Sequence, residues 1–205
     1  MLREIKELLF HPGIFFTTIA GQKVDLAYPA LIVFTGGLAG LATPILINLF
    51  SGSGGELRNT IVMPDTVFVS IFMPFIAWIL IAGIFFILCR LLSGTGSFGA
   101  TLQNAGYGCL PLTLLSVLFL INGIVAGRFT EPPGTAGTGV VIGLGLLSVL
   151  FIVWGGYLWT HAIETTHAIP RNRAMVAAAI VVLLYMSPVL INILMVSSPA
   201  RYFPG

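Results

Sequence analysis

Three residues able to share a proton or a metal ion, His161, Glu164 and His167, stand three apart near the end of an apolar stretch. On a continuous α-helix, positions three apart are turned about 60° from one another, so the trio fans over one face and could just reach a common ion. The zinc-protease pattern differs, because it sets two histidines four apart with the glutamate beside the first. The competing reading is a helix end at headgroup depth, with Glu164 paired to Arg171 or Arg173 and both imidazoles in the interface. That reading is the simpler one, so no cofactor and no catalytic residue are expected. Two cysteines, Cys89 and Cys109, are too few for a disulfide framework and lack metal spacing. Cys89, beside Arg90, is a site for acylation only if it escapes ordinary packing.

The elements that must carry these residues are apolar and long. Nine basic and seven acidic residues all fall outside five runs at about 27–50, 66–89, 101–126, 138–160 and 174–198. A charge at the middle of a membrane helix costs about 2.5–3.5 kcal/mol on insertion scales, whereas a water-soluble protein has no reason to clear charges from windows of this length. Each run exceeds the roughly 20 residues that cross about 30 Å of hydrocarbon. With 57% hydrophobic and 8% charged residues, too little polar surface exists to coat a soluble domain. The expected fold is therefore an all-α membrane protein, a bundle of five transmembrane helices. A net charge of +2 gives nucleic-acid binding no support.

Residues 1–24 form a separate N-terminal segment ahead of a membrane domain at 25–205. Glu4 and Glu7 sit where a signal peptide would be basic, so the segment is expected to be retained. Leu2, Ile5, Leu8 and Leu9 share one side of a helix whose remainder is charged, the pattern of a short amphipathic helix lying in the interface; Ile14 to Ala20 makes a second such stretch. Arg3, Lys6, Lys23, Arg90, Arg171 and Arg173 fall on one side of the five spans, against Arg58, Arg128 and Arg201 on the other. This excess puts the N-terminus in the cytosol and the C-terminus outside or in a lumen.

Within the runs, Gly36/Gly40, Gly123/Gly127 and Gly139/Gly143 repeat at four-residue spacing, which lets helix backbones approach, within one chain before between copies in a homo-oligomer. Pro44, Pro74, Pro111 and Pro188 kink or start helices. Asp65 is expected to cap the second span and Thr101 to start the third, with Trp154, Tyr157 and Trp159 in an interfacial belt. Asn48, Asn104, Asn122 and Asn192 are read as interhelical hydrogen-bond partners.

Two further patterns lie on the side expected to face the cytosol. Asp25-Leu26-Ala27-Tyr28-Pro29 opens the first span, and Gly106-Tyr107-Gly108-Cys109-Leu110-Pro111 lies early in the third. They resemble the Asp-Leu-Tyr-Gly-Pro and Gly-Tyr-Gly-x-x-Pro motifs of the Yip family, integral membrane proteins that in eukaryotes interact with Rab-type GTPases; Tyr28 stands where the family has Gly. Similarity continues in His11–Pro12–Gly13–Ile14–Phe15–Phe16, in Gly94-Thr95-Gly96-Ser97-Phe98 and in the stretch from His167 to Ala174. The resemblance implies five spans, a cytosolic N-terminus and a minimal, prokaryotic-type member. Only about 25 residues precede the first span, where eukaryotic members carry a long cytosolic segment, so the resemblance does not carry GTPase binding to this chain.

Asp25, Leu26, Tyr28, Pro29, Gly106, Tyr107, Gly108 and Pro111 are thus the candidate motif and partner-binding residues, with two roles open to them: locking spans one and three together, or meeting a partner. Asp25 has Lys23, Arg90 and Arg171 as candidate ion-pair partners on the same side. The function expected is a non-enzymatic membrane scaffold or adaptor, its partners being membrane lipids and a cytosolic protein. The alternative is a small transporter or channel for a neutral or lipid-like substrate, since no acid, base or charge ladder lies in the runs. An intramembrane metalloprotein at His161, Glu164 and His167 is the third.

Overall fold

A computed structural model describes residues 2–50, 64–128 and 135–197, and every regular element among them is a helix. Two short helices lead, α1 (Leu2–Phe10) and α2 (Pro12–Ala20). Then come α3 (Ala27–Phe50), α4 (Pro64–Leu91), α5 (Phe98–Gly108), α6 (Leu110–Arg128), α7 (Thr135–His167) and α8 (Arg171–Ser197). Among the described residues, five segments are long and apolar enough to cross a membrane, with α5 and α6 together making the third. Arg58, Arg201 and most of the connections at 51–64 and 127–137 lie outside the described residues.

The third run is broken where a single helix was expected. Pro111 has no N–H to offer the Tyr107 carbonyl and its ring crowds that carbonyl, so α5 stops at Gly108. Cys109 turns tightly, its N–H bonding the Gly106 carbonyl at 3.1 Å, and its own carbonyl accepts from Thr113 to restart the helix as α6. Thr101 does not start the span: Ser97 caps α5 by accepting from the Ala100 N–H at 3.3 Å, one turn before it. Likewise α4 begins at Pro64, a residue that gives up no needed donor in a first turn, so Asp65 lies inside the helix. The fourth run extends beyond 160 as helix to His167, carrying the whole His161, Glu164, His167 trio.

Helix α3 packs along α6 and α4, α7 pairs with α8, and α5 sits against α4, α7 and α3. Trp78, Phe85, Trp159 and Ala177 form the main core at the α5 level, with Phe85 and Trp159 edge to face at 5.6 Å. Trp159 is wholly buried instead of joining an interfacial belt, and its indole N–H donates to the Ala105 carbonyl at 3.0 Å. The amphipathic pattern of α1 is realised on protein: Leu8 buries with Phe15, Phe16, Leu110 and Leu158 in a second cluster, and α2 lies on α7.

Glycine spacing explains less of the packing than expected. Gly36 faces Thr113 of α6, but Gly40, Gly139 and Gly143 face open space, while the close approaches are made by Gly37 on Ser70, Gly145 on Ile193 and Gly156 on Val182.

The connection from α4 to α5 ends α4 in a Schellman motif. Ser93 takes the left-handed conformation, φ 66°, and the Gly94 N–H reaches the Cys89 carbonyl at 2.7 Å. Thr95 then bonds the His167 carbonyl at 3.0 Å and Arg173 reaches the Leu92 carbonyl at 3.0 Å. The starts of α3, α5 and α8 and the ends of α4 and α7 therefore gather at one end of the bundle, with Lys23, Arg90, Arg171 and Arg173.

Candidate functional site

The two motifs meet at this end, and the contact divides each of them. Pro29 and Pro111 are almost wholly buried, as are Gly106 and Gly108. A Cβ on Gly106 would fall 2.6 Å from Pro29 of α3 and 2.8 Å from the Trp78 indole nitrogen, which donates to the Leu102 carbonyl. A Cβ on Gly108 would overlap the Trp159 ring outright. Here glycine is required for space: α3, α4 and α7 each press one side chain onto the α5 backbone. Pro29 lies in the first turn of α3, so its missing N–H leaves no carbonyl of that helix without a donor.

The other motif residues stay open. Asp25, Leu26 and Tyr28 are exposed and Tyr107 is half-buried. Asp25 does not make the expected ion pair with Lys23, Arg90 or Arg171. Its Oδ1 accepts from the Ala27 N–H at 2.9 Å, which fixes the start of α3, and its own N–H donates to Gln103 Oε1 at 3.1 Å. Gln103 stands four residues before Tyr107, one turn away on the same face of α5. Phe15 of α2 meets the Tyr107 ring edge to face at 5.0 Å.

Between these groups lies a cleft of about 190 Å³, walled by α1, α2, the start of α3 and α5. Asp25, Tyr28, Gln103 and Tyr107 face it together with Lys23, Glu4 and Glu7, and apolar side chains including Leu8, Phe15 and Ile32 form its floor. The candidate site is thus a mixed polar and apolar notch at the head of the bundle, built by both motifs and closed on one side by the N-terminal helices.

The metal trio is not assembled. His161 Nδ1 and Glu164 lie 3.8 Å apart, but His167 turns away into the interior, and no cluster of three His, Cys, Asp or Glu among the described residues is arranged to hold a metal ion. The reason is the helical turn between successive members: His161 looks toward Arg171, at 3.4 Å, and α2, whereas His167 looks toward α5. Glu164 accordingly meets His161 and not Arg171 or Arg173, the latter being turned to α4. His167 is fully buried with Nε2 2.9 Å from the Thr101 hydroxyl. That hydroxyl has one proton and is placed to give it to the Ser97 carbonyl at 2.8 Å, so His167 is assigned as the Nε2–H donor. Asn104 beside it donates to Thr166 at 2.6 Å.

A profile of the Yip1 domain matches residues 6–191, nearly the whole chain. The chain belongs to the Yip1 domain family. The family and the five apolar helices together make it an integral, multi-pass membrane protein. It is similar to an uncharacterized protein of Methanocaldococcus jannaschii, with 29% identity over 120 residues, 54% of this chain and 82% of that one. No solved structure matches the chain.

In this Yip1-domain protein, the remaining stretches of resemblance also lock together. Gly94 and Gly96 wrap His167 so closely that a Cβ on either would come within 3 Å of its side chain. Sequence reasoning missed Gln103 as part of the site, and named Lys23 only as an ion-pair partner for Asp25 and Phe15 only within a stretch of resemblance. Gln103 was within reach, because a polar residue one turn before Tyr107 shares its helix face; Phe15 comes from a separate helix and carried no such signal.

Proposed function

We propose that this Yip1-domain protein is a non-enzymatic membrane scaffold or adaptor that works through the cleft at the head of its bundle, with that end in the cytosol. One observation carries the reading: Asp25, Tyr28 and Tyr107, from motifs about 80 residues apart in sequence, present their side chains to a single notch while the prolines and glycines of the same motifs are used up in packing. The Tyr28 and Tyr107 hydroxyls hold no part of the fold together and can meet a partner, while Asp25 keeps lone pairs beyond the one that holds the start of α3. The void beside Asn104 measures only about 10 Å³, which fits a packed bundle better than a solute path.

Crosslinking and affinity capture in the native membrane test this. Wild-type chain is expected to recover a reproducible protein or lipid partner that Tyr107→Ala loses while remaining folded. Equal recovery by both would remove the cleft from the reading. Solute flux through reconstituted vesicles, unaffected by Tyr107→Ala, would favour transport.

A further inference from the structure

We infer that the cleft seats one phospholipid headgroup carrying a primary amine beside its phosphate, with the acyl chains running down the outer face of α3. The inference deepens the adaptor reading by naming the ligand of the same cleft, but it does not depend on which side of the membrane that cleft faces.

Both signs of charge line the notch, and several of its polar groups have no protein partner among the described residues. Gln103 is 93% buried, being 7% exposed; its Oε1 is taken by the Asp25 N–H, while its amide N–H groups have no partner among the described residues. The hydroxyls of Tyr28 and Tyr107 and the Lys23 ammonium likewise have none. These are donors, suited to phosphate oxygens. Asp25 accepts the Ala27 N–H through Oδ1 and keeps lone pairs to spare on the wall of the notch. Such acceptors suit an ammonium that can donate hydrogen bonds, which choline cannot.

Size and surroundings select a lipid over a soluble ligand. At about 190 Å³ the notch is below the roughly 300–1,000 Å³ of sites that enclose a whole drug-sized molecule. A headgroup fits if its tails lie elsewhere. From the notch, Leu31, Phe34 and Leu38 continue along one side of α3 at helical spacing, all exposed, giving an apolar track of the direction an acyl chain needs. A basic amphipathic peptide would satisfy the carboxylates but leave the unpartnered donors facing its own cationic groups.

The full chain, purified in mild detergent, is exposed in turn to phosphatidylethanolamine, phosphatidylcholine and phosphatidylglycerol, and retained lipid is counted by native mass spectrometry. One phosphatidylethanolamine per chain is expected, favoured about tenfold over either competitor, the ratio that one charge-assisted hydrogen bond provides. Asp25→Asn keeps an acceptor for the Ala27 N–H, so it should fold and yet lose the preference for the amine. Lys23→Gln should weaken retention of all three, and Leu183→Ala on the exposed face of α8 should change nothing. Equal retention of the three lipids, or a preference untouched by Asp25→Asn, overturns the inference. So does binding of soluble glycerophosphoethanolamine as tight as that of the lipid, or displacement of the lipid by a basic peptide. Capture of a protein partner that depends on Tyr107, without any lipid preference, would leave the adaptor reading standing and this inference fallen; a lipid preference with no protein captured would do the reverse.

Discussion

Pro29, Gly106, Gly108 and Pro111 on one side, and Asp25, Tyr28, Gln103 and Tyr107 on the other, belong to the same few helical turns yet obey different constraints. The first set is defined by what touches it: a proline ring, two indoles and a helix break leave no room for another side chain. The second is defined by what does not, since its hydroxyls and one amide face a notch. On the function proposed above, a motif read as one string carries two overlapping requirements, space on the inner face of α5 and chemistry at the cleft.

Substitutions that respect one requirement and violate the other separate the two sets. Gly108→Leu has the largest expected effect, because the new side chain and Trp159 cannot share the site; a loss of about 3 kcal/mol or more is expected, seen as missing monodisperse protein on size-exclusion chromatography. Thr101→Val comes next. It strands the buried His167 N–H, at a cost of about 1–3 kcal/mol in thermal unfolding. Asp25→Ala removes the acceptor at the start of α3 and should cost about 1 kcal/mol, against a smaller loss for Asp25→Asn. Tyr107→Phe should shift stability by less than about 0.5 kcal/mol, since its hydroxyl has no partner and the ring contact with Phe15 survives, while recovery of the cleft's ligand falls. If Tyr107→Phe proved as damaging as Gly108→Leu, the division would be wrong.

The five-span bundle was legible because charges are so costly in hydrocarbon that their positions mark the segment ends. Periodicity inside α4 or α7 says little, as such helices are apolar on nearly every side. The break at Cys109 was half visible: Pro111 announced a disturbance, but only the crowding around Gly106 and Gly108 shows why one helix stops there. Candidate metal ligands failed for a related reason, since three-residue spacing on a helix leaves about 60° between neighbours and the packing of α5 claimed His167. Glycine pairs misled because spacing alone does not tell which face of a helix meets another. Trp159, aromatic and near a helix end, looked interfacial; the cavity that Gly108 opens for it lies 51 residues earlier in the chain.

That same distance bears on how the protein is made. Thr101 and Asn104 meet His167 and Thr166, partners 66 and 62 residues further on. A ribosome delivers them only after it has made the whole of the third segment. Until then the Asn104 amide lacks that partner, whereas the Thr101 hydroxyl already bonds the Ser97 carbonyl within its own helix. A chain truncated before residue 166 would therefore leave Asn104 without the hydroxyl it bonds in the finished bundle.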